Sequence, residues 1–110
     1  IQKCRQAKVE TSICGQAASR KEMAELVIRL NYSMFLGNFD MDFEDGEIRY
    51  KTSINYKYVN FNNDLFKQYI LLPIQIMDEY LPVIMNVMYG GLTPNQAIDI
   101  FETQQKEDME

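Results

Sequence analysis

Residues 38–54 read NFDMDFEDGEIRYKTSI, and the alternation in this stretch decides the fold class. Phe39, Met41 and Phe43 alternate with Asp40, Asp42 and Glu44. Beyond Asp45-Gly46, Ile48, Tyr50, Thr52 and Ile54 alternate with Arg49, Lys51 and Ser53. Period-two alternation on both sides of an Asp-Gly dipeptide predicts a β-hairpin closed by a two-residue turn. In that register Glu44 faces Glu47, Phe43 faces Ile48, Asp42 faces Arg49, Met41 faces Tyr50 and Asp40 faces Lys51. One face is then apolar. The other carries opposite-charge cross-strand pairs worth about 0.2–1 kcal/mol each, with Glu44 and Glu47 subtracting a similar amount. A slip of one residue would bury Asp40 and Asp42, so the pattern specifies which side chains point inward.

Outward from the hairpin the period changes. Upstream, Ser19 and Glu22 have the spacing of a capping box, and Met23, Leu26, Val27 and Leu30 follow at helical spacing. This predicts a helix that ends near Tyr32 or Ser33, before Gly37. Further upstream, alternation at Ala7, Val9, Thr11 and Ile13 permits a short strand, with residues 15–18 as a loop. Downstream, Asn62 or Asn63 is placed to cap a long helix. Leu65, Phe66, Tyr69, Ile70, Ile76, Met77, Tyr80, Leu81, Ile84, Met85 and Met88 keep its 3.6 period. Pro73 and Pro82 each lack a backbone donor and clash with the preceding turn, so kinks or a break are expected there. Gly90-Gly91 provides the stop. Thr93-Pro94-Asn95-Gln96 starts a short last helix, with Thr93 as N-cap, Pro94 at the first helical position and Gln96 completing a capping box. Ala97, Ile98 and Phe101 form its buried side, and the charged tail KEDME is expected to fray.

The organisation is a weakly patterned segment over 1–18, one α+β domain over 19–104 and a charged tail over 105–110. The architecture expected is an antiparallel hairpin or sheet packed against helices. An isolated hairpin is marginal in water. A strand from 7–13, a second copy of the chain, or residues upstream of Ile1 would complete it.

Composition narrows the function. The chain has 110 residues, net charge −5, and eleven basic against sixteen acidic side chains. The basic residues are scattered, which argues against nucleic acid, whose affinity comes largely from neutralised phosphates. No apolar run reaches the roughly 18 residues of a membrane span, and the polar N-terminus has no signal-peptide core. No membrane partner is expected, and a cytoplasmic setting is. Cys4 and Cys14, in a chain without histidine, cannot fill a tetrahedral zinc site unless carboxylates help. They are expected to be reduced and structural. The absence of histidine removes Ser-His and Cys-His nucleophile systems. No phosphate loop, Walker motif or nucleophile elbow occurs. Carboxylate or lysine catalysis stays open to such a chain, but no catalytic residue, cofactor or metal is expected. The acidic run from Asp40 fails the calcium-loop pattern, since its sixth position is Asp45 and its twelfth is Lys51.

What remains distinctive is methionine and tyrosine. Thioether side chains fill cores and also adapt to partners, and the core role is the more frequent. The eleven apolar positions of the long helix exceed what one small hairpin can cover, so part of the stripe is expected to face another protein. The candidates for that interface are Met77, Tyr80, Leu81, Ile84, Met85 and Met88. Tyr56 and Tyr58, on the strand face of Ile54, add aromatic surface of the kind enriched at protein contacts. Asp78 and Glu79 are adjacent on a helix and point about 100° apart, so they do not form a catalytic pair.

Four pieces of the chain, in order, resemble the YbjN family of bacterial sensory transduction regulators. They are KEMAELVIRLNYSM (21–34), LGNFDMDFEDGEIRYKTSI (36–54), MDEYLPVIMNVMYGG (77–91) and LTPNQAI (92–98). The second is similar to cyanobacterial members in particular. The resemblance extends from Arg20 to Phe101, about three quarters of the chain. Residues 1–18 do not match the helix and strands that family members carry there, and Pro73 and the tyrosine-rich strand end are unusual. The resemblance implies a type III secretion chaperone-like α+β sandwich, helices on one face of an antiparallel sheet, a tendency to dimerise and no catalytic residues. The function expected is a non-enzymatic protein-interaction or chaperone-like regulatory module, dimeric, binding a protein partner through a sheet edge and the Met/Tyr-rich helix. The alternative is a small-ligand sensor with an apolar pocket between the hairpin and the long helix.

Overall fold

A computed structural model describes residues 6–13, 20–55, 57, 60 and 62–109, with the backbone alone described for 6–13. The chain runs β1 (Gln6–Ile13), α1 (Arg20–Tyr32), β2 (Asn38–Met41), β3 (Ile48–Asn55), α2 (Asn63–Met88) and α3 (Pro94–Asp108). The fold is α+β, with the hairpin packed against helices. The strands form one antiparallel sheet in the order β1-β3-β2, so β3 is central. α1 lies against β2, α2 lies against β1 and β3, and α3 packs on both other helices. The proposed Ser19 cap, the loop at 15–18, Cys4, Cys14, Tyr56 and Tyr58 lie outside the described residues.

The alternation does its work on both faces of the sheet. Ile48, Tyr50 and Thr52 of β3 are buried toward the helices, while Arg49, Lys51 and Ser53 face outward. On the outward face Lys51 pairs with the Asp40 carboxylate, and Arg49 Nε lies 3.0 Å from Glu47 Oε1. Pairs this exposed contribute little to stability.

The hairpin register differs by two residues from the two-residue-turn expectation. Phe39 opposes Tyr50, Asp40 opposes Arg49 and Met41 opposes Ile48. Residues 43–46 form a four-residue loop, closed by hydrogen bonds from Asp42 N–H to the Glu47 carbonyl and from Gly46 N–H to the Asp42 carbonyl, both 2.8 Å. The reason is local. A tight type I′ turn requires positive φ at both central residues. Here Gly46 is left-handed at φ 78°, and no non-glycine among the described residues has positive φ. Asp42 and Asp45 instead fold the loop on themselves, their carboxylates accepting from Glu44 N–H (2.9 Å) and Glu47 N–H (2.8 Å). Because the shift is even, the inward face is preserved. Phe43 is the exception: it leaves the sheet and becomes exposed.

β2 is an edge strand that α1 completes. Asn31 Nδ2 donates to the Phe39 carbonyl (2.8 Å), and Phe39 N–H donates to Asn31 Oδ1 (2.7 Å). One side-chain amide thus stands where a fourth strand's peptide would be. Asn31→Ala leaves both backbone groups of Phe39 without these partners in a half-buried setting. It should cost about 1–3 kcal/mol in urea unfolding, with the slope of the transition unchanged.

α2 is capped by Asn62, whose side chain accepts from Leu65 N–H at 2.8 Å. It continues as one helix through both prolines, where a break was a possible outcome of the sequence pattern. Pro73 removes the N–H that would reach the Tyr69 carbonyl four residues earlier. The buried Thr52 hydroxyl of β3 points at that carbonyl from 3.5 Å, and Pro73 itself is fully buried. The sheet thus supplies the polar partner that the helix lacks. Pro82 likewise has no N–H for the carbonyl of Asp78, and both residues are exposed.

Gly91, left-handed at φ 71°, turns the chain after α2, and Leu92 N–H returns to the Asn86 carbonyl at 3.2 Å. Thr93 and Gln96 then form the reciprocal capping box, at 3.2 and 3.0 Å. α3 is 15 residues long and includes Lys106, Glu107 and Asp108, so the charged tail is largely helical. The core joins Met23, Leu26, Val27 and Leu30 of α1 to Phe39, Ile48 and Tyr50 of the sheet, Met77, Val83, Ile84, Val87 and Met88 of α2, and Ala97 of α3.

Candidate functional site

The core takes half of the residues singled out on the long helix. Met77, Ile84 and Met88 are buried against α1, the sheet and α3, so they do not form a docking surface. Their thioether and aliphatic groups fill the space between layers, because three other elements cover this face rather than one hairpin. Tyr80 is half-buried, with its ring 5.8 Å from that of Phe39 and 4.7 Å from that of Phe101. Leu81 is half-buried and Met85 is exposed. The outward side of α2 is instead marked by Leu71, Ile74, Met85 and Tyr89, with Asp78 among them.

A second apolar surface lies on α1. Ala24, Ile28 and Tyr32 recur every fourth residue, off the core stripe, so they share one outward line. Ile28 is 70 % exposed, Tyr32 94 % and Phe35, in the following turn, 101 %. Phe43 faces this line from the hairpin loop, which is tied to α1 by the Arg20 guanidinium donating to the Phe43 carbonyl at 2.9 Å. Ala24, Ile28, Tyr32 and Phe43, with Ile98 of α3, line an open groove of about 700 Å³, and Phe35 lies outside it. Lys21, Asn95 and the ion pair of Arg29 with Glu25, at 3.5 Å, form its polar wall. The apolar floor and charged margin suit an apolar helix or strand face. Sequence reading missed this surface, although the i, i+4 line was present in it. Its alternation places Phe43 on the sheet, whereas the fold puts it in the loop.

A third space, about 250 Å³, lies between β3 and α2, lined by Tyr50, Leu72, Ile76 and Tyr80 and closed by residues 33–36. Its polar side chains are Ser33 and the two phenols. The Tyr50 hydroxyl donates to the Leu36 carbonyl. Burial raises the Tyr50 phenol above the ordinary tyrosine value of 10.0, and Tyr80 raises it further. Burial also raises Tyr80, with Glu79 and Glu102 adding to it. Above pH 10 the unfolded chain therefore releases protons that the folded chain retains, and stability falls as pH rises. Melting temperature should be level through the neutral range and decline above pH 10. Tyr80→Phe should make that decline shallower; an identical alkaline slope in the variant would contradict the assignment.

Among the described residues, no group of three or more acidic, cysteine or histidine side chains is placed to hold a metal ion. Contrary to the sequence expectation, α2 is long and apolar enough to cross a membrane even with Asp78 and Glu79 in it, and 28 % of its apolar 18-residue window is buried within the fold. No family model, no curated protein and no solved structure matches the chain.

Proposed function

We propose that this protein is a non-enzymatic protein-interaction module, chaperone-like and regulatory in the manner implied by the YbjN resemblance, acting as a cytoplasmic dimer. The observation that carries the reading is the groove on α1, where Ile28, Tyr32 and Phe43 stand in solvent around one concave, charge-rimmed surface. Contiguous apolar surface with a polar rim marks binding sites for other proteins. The test uses Ile28→Asp and Tyr32→Asp, which alter exposed residues and should leave the melting temperature within a few degrees. Cross-linked partners recovered from the native host with wild-type protein should be lost with both variants. Recovery of the same set by the variants would overturn the reading.

The space between β3 and α2 favours a second reading, a small-ligand sensor. At about 250 Å³ it is just below the roughly 300–1,000 Å³ of ordinary ligand sites. This reading requires that some apolar small molecule raise the melting temperature, and that Ile76→Trp, which fills the space, abolish the shift.

A further inference from the structure

We infer that the protein dimerises by antiparallel pairing of β1 with β1 of a second copy, around a two-fold axis at Val9. The inference rests on the dimeric part of the proposed function and names the surface and register responsible.

β1 is one edge of the sheet, and all eight of its residues pair with β3 without a bulge, from Gln6 opposite Asn55 to Ile13 opposite Ile48. Among the described residues no strand lies on its other side. The segment QAKVETSI has no proline or glycine. A long, regular edge of this kind is a template for another strand. β2, the opposite edge, is only four residues long and is already engaged by Asn31.

Symmetry and charge complementarity together favour one register. Two copies of one strand that pair antiparallel are related by an axis normal to the sheet, so both keep their helices on the same side. Directly opposed residues share a face, which restricts the axis to passing through a residue rather than between two. An axis at Lys8 would set Lys8 against the partner's Lys8, and an axis at Glu10 would set Glu10 against the partner's Glu10. Both place like charges in direct opposition, which is destabilising. An axis at Val9 sets Lys8 against the partner's Glu10 and Glu10 against the partner's Lys8, and it pairs the strands over residues 6–12. This register alone among the three converts the charges of the edge from a guard against pairing into a selector of it.

The pairing gives a six-stranded sheet in the order β2-β3-β1-β1-β3-β2. α2 is the helix that contacts β1, while α1 contacts β2, so the two copies of α2 lie nearest the axis on one face. Leu71, Ile74 and Met85 of α2 are exposed in the single chain, and they supply apolar area that adjacent copies can bury against each other.

The experiment is light scattering in reductant across a concentration series, on wild type, Lys8→Glu and the charge-swapped Lys8→Glu/Glu10→Lys, each checked for folding by thermal melting. Wild type should be a dimer. Lys8→Glu, with two repulsive pairs, should weaken dimerisation about 10- to 100-fold, and the double variant should recover it. A dimer that Lys8→Glu leaves intact would overturn this interface and leave the dimeric reading standing. A wild-type monomer at every concentration would overturn both, while partner recovery still judges the groove. Should Lys8→Glu fail to fold, cysteine replaces Val9 or Glu10 in a Cys4→Ser/Cys14→Ser background. On oxidation Val9→Cys should cross-link and Glu10→Cys should not, since its copies stand farther apart than the roughly 7 Å limit for a disulfide. Equal cross-linking of the two would overturn the register.

Discussion

Replacing Gly37 by alanine is expected to destabilise the protein by about 3–4 kcal/mol, because two separate penalties fall on one methyl group. Gly37 is left-handed at φ 68°, a conformation that costs a residue with a Cβ about 1–2 kcal/mol. A Cβ built there would also stand 2.6 Å from the Lys51 carbonyl oxygen and 2.6 Å from the Tyr50 hydroxyl. Neither can give way easily. The carbonyl belongs to the central strand, and the hydroxyl is held in its bond to the Leu36 carbonyl beneath the loop. Thermal melting reads the effect directly: at roughly 4 °C per kcal/mol for a domain of this size, the midpoint should fall by about 15 °C. A fall of less than a few degrees would mean that the turn between α1 and β2 relaxes without cost.

Phe39→Ala is expected to be costlier still, about 3–5 kcal/mol, a large share of the 5–15 kcal/mol that holds a domain folded. Phe39 is 1 % exposed and stands where the layers meet. Its ring lies 5.1 Å from that of Tyr50 and 5.8 Å from that of Tyr80, edge-on to both, so removing it breaks two aromatic contacts and opens a cavity between the sheet and α2. Its backbone is simultaneously the part that Asn31 holds. Urea unfolding should show a lower midpoint with the near-ultraviolet tyrosine signal weakened. Phe39→Leu, which refills much of the space, should recover a good part of the loss. Gly37→Ala and Phe39→Ala both disturb Tyr50, so their effects should not add.

The legible parts of this chain were those whose signals act within one turn or one strand. The stripe Met23, Leu26, Val27 and Leu30 is the buried face of α1. The Thr93 and Gln96 box starts α3 with both hydrogen bonds that its spacing implies. The alternation in 38–54 set the inward faces of β2 and β3 correctly even though the register moved, because an even shift leaves alternation unchanged. The candidate site was much less legible. Eleven apolar positions on one helix read as a surplus only if one hairpin covers them. In the fold α1, α3 and the strands β1 and β3 share the task, and Met77, Ile84 and Met88 disappear into the core.

The sequence by itself determined the α+β class, the places where α1, α2 and α3 lie, and the inward side of each hairpin strand, because periodicity and caps are written within a few residues. Only the tertiary structure decided the hairpin register, the continuity of α2 through Pro73 and the location of the exposed apolar surface. Each depends on groups far apart in the chain or on a competition that spacing does not show. Asp42 and Asp45 draw the loop wide with their own hydrogen bonds. Thr52 reaches the Tyr69 carbonyl that Pro73 leaves open, across 17 residues. α1 presents Ile28 and Tyr32 to solvent because β2, α2 and α3 together have room for only one of its faces.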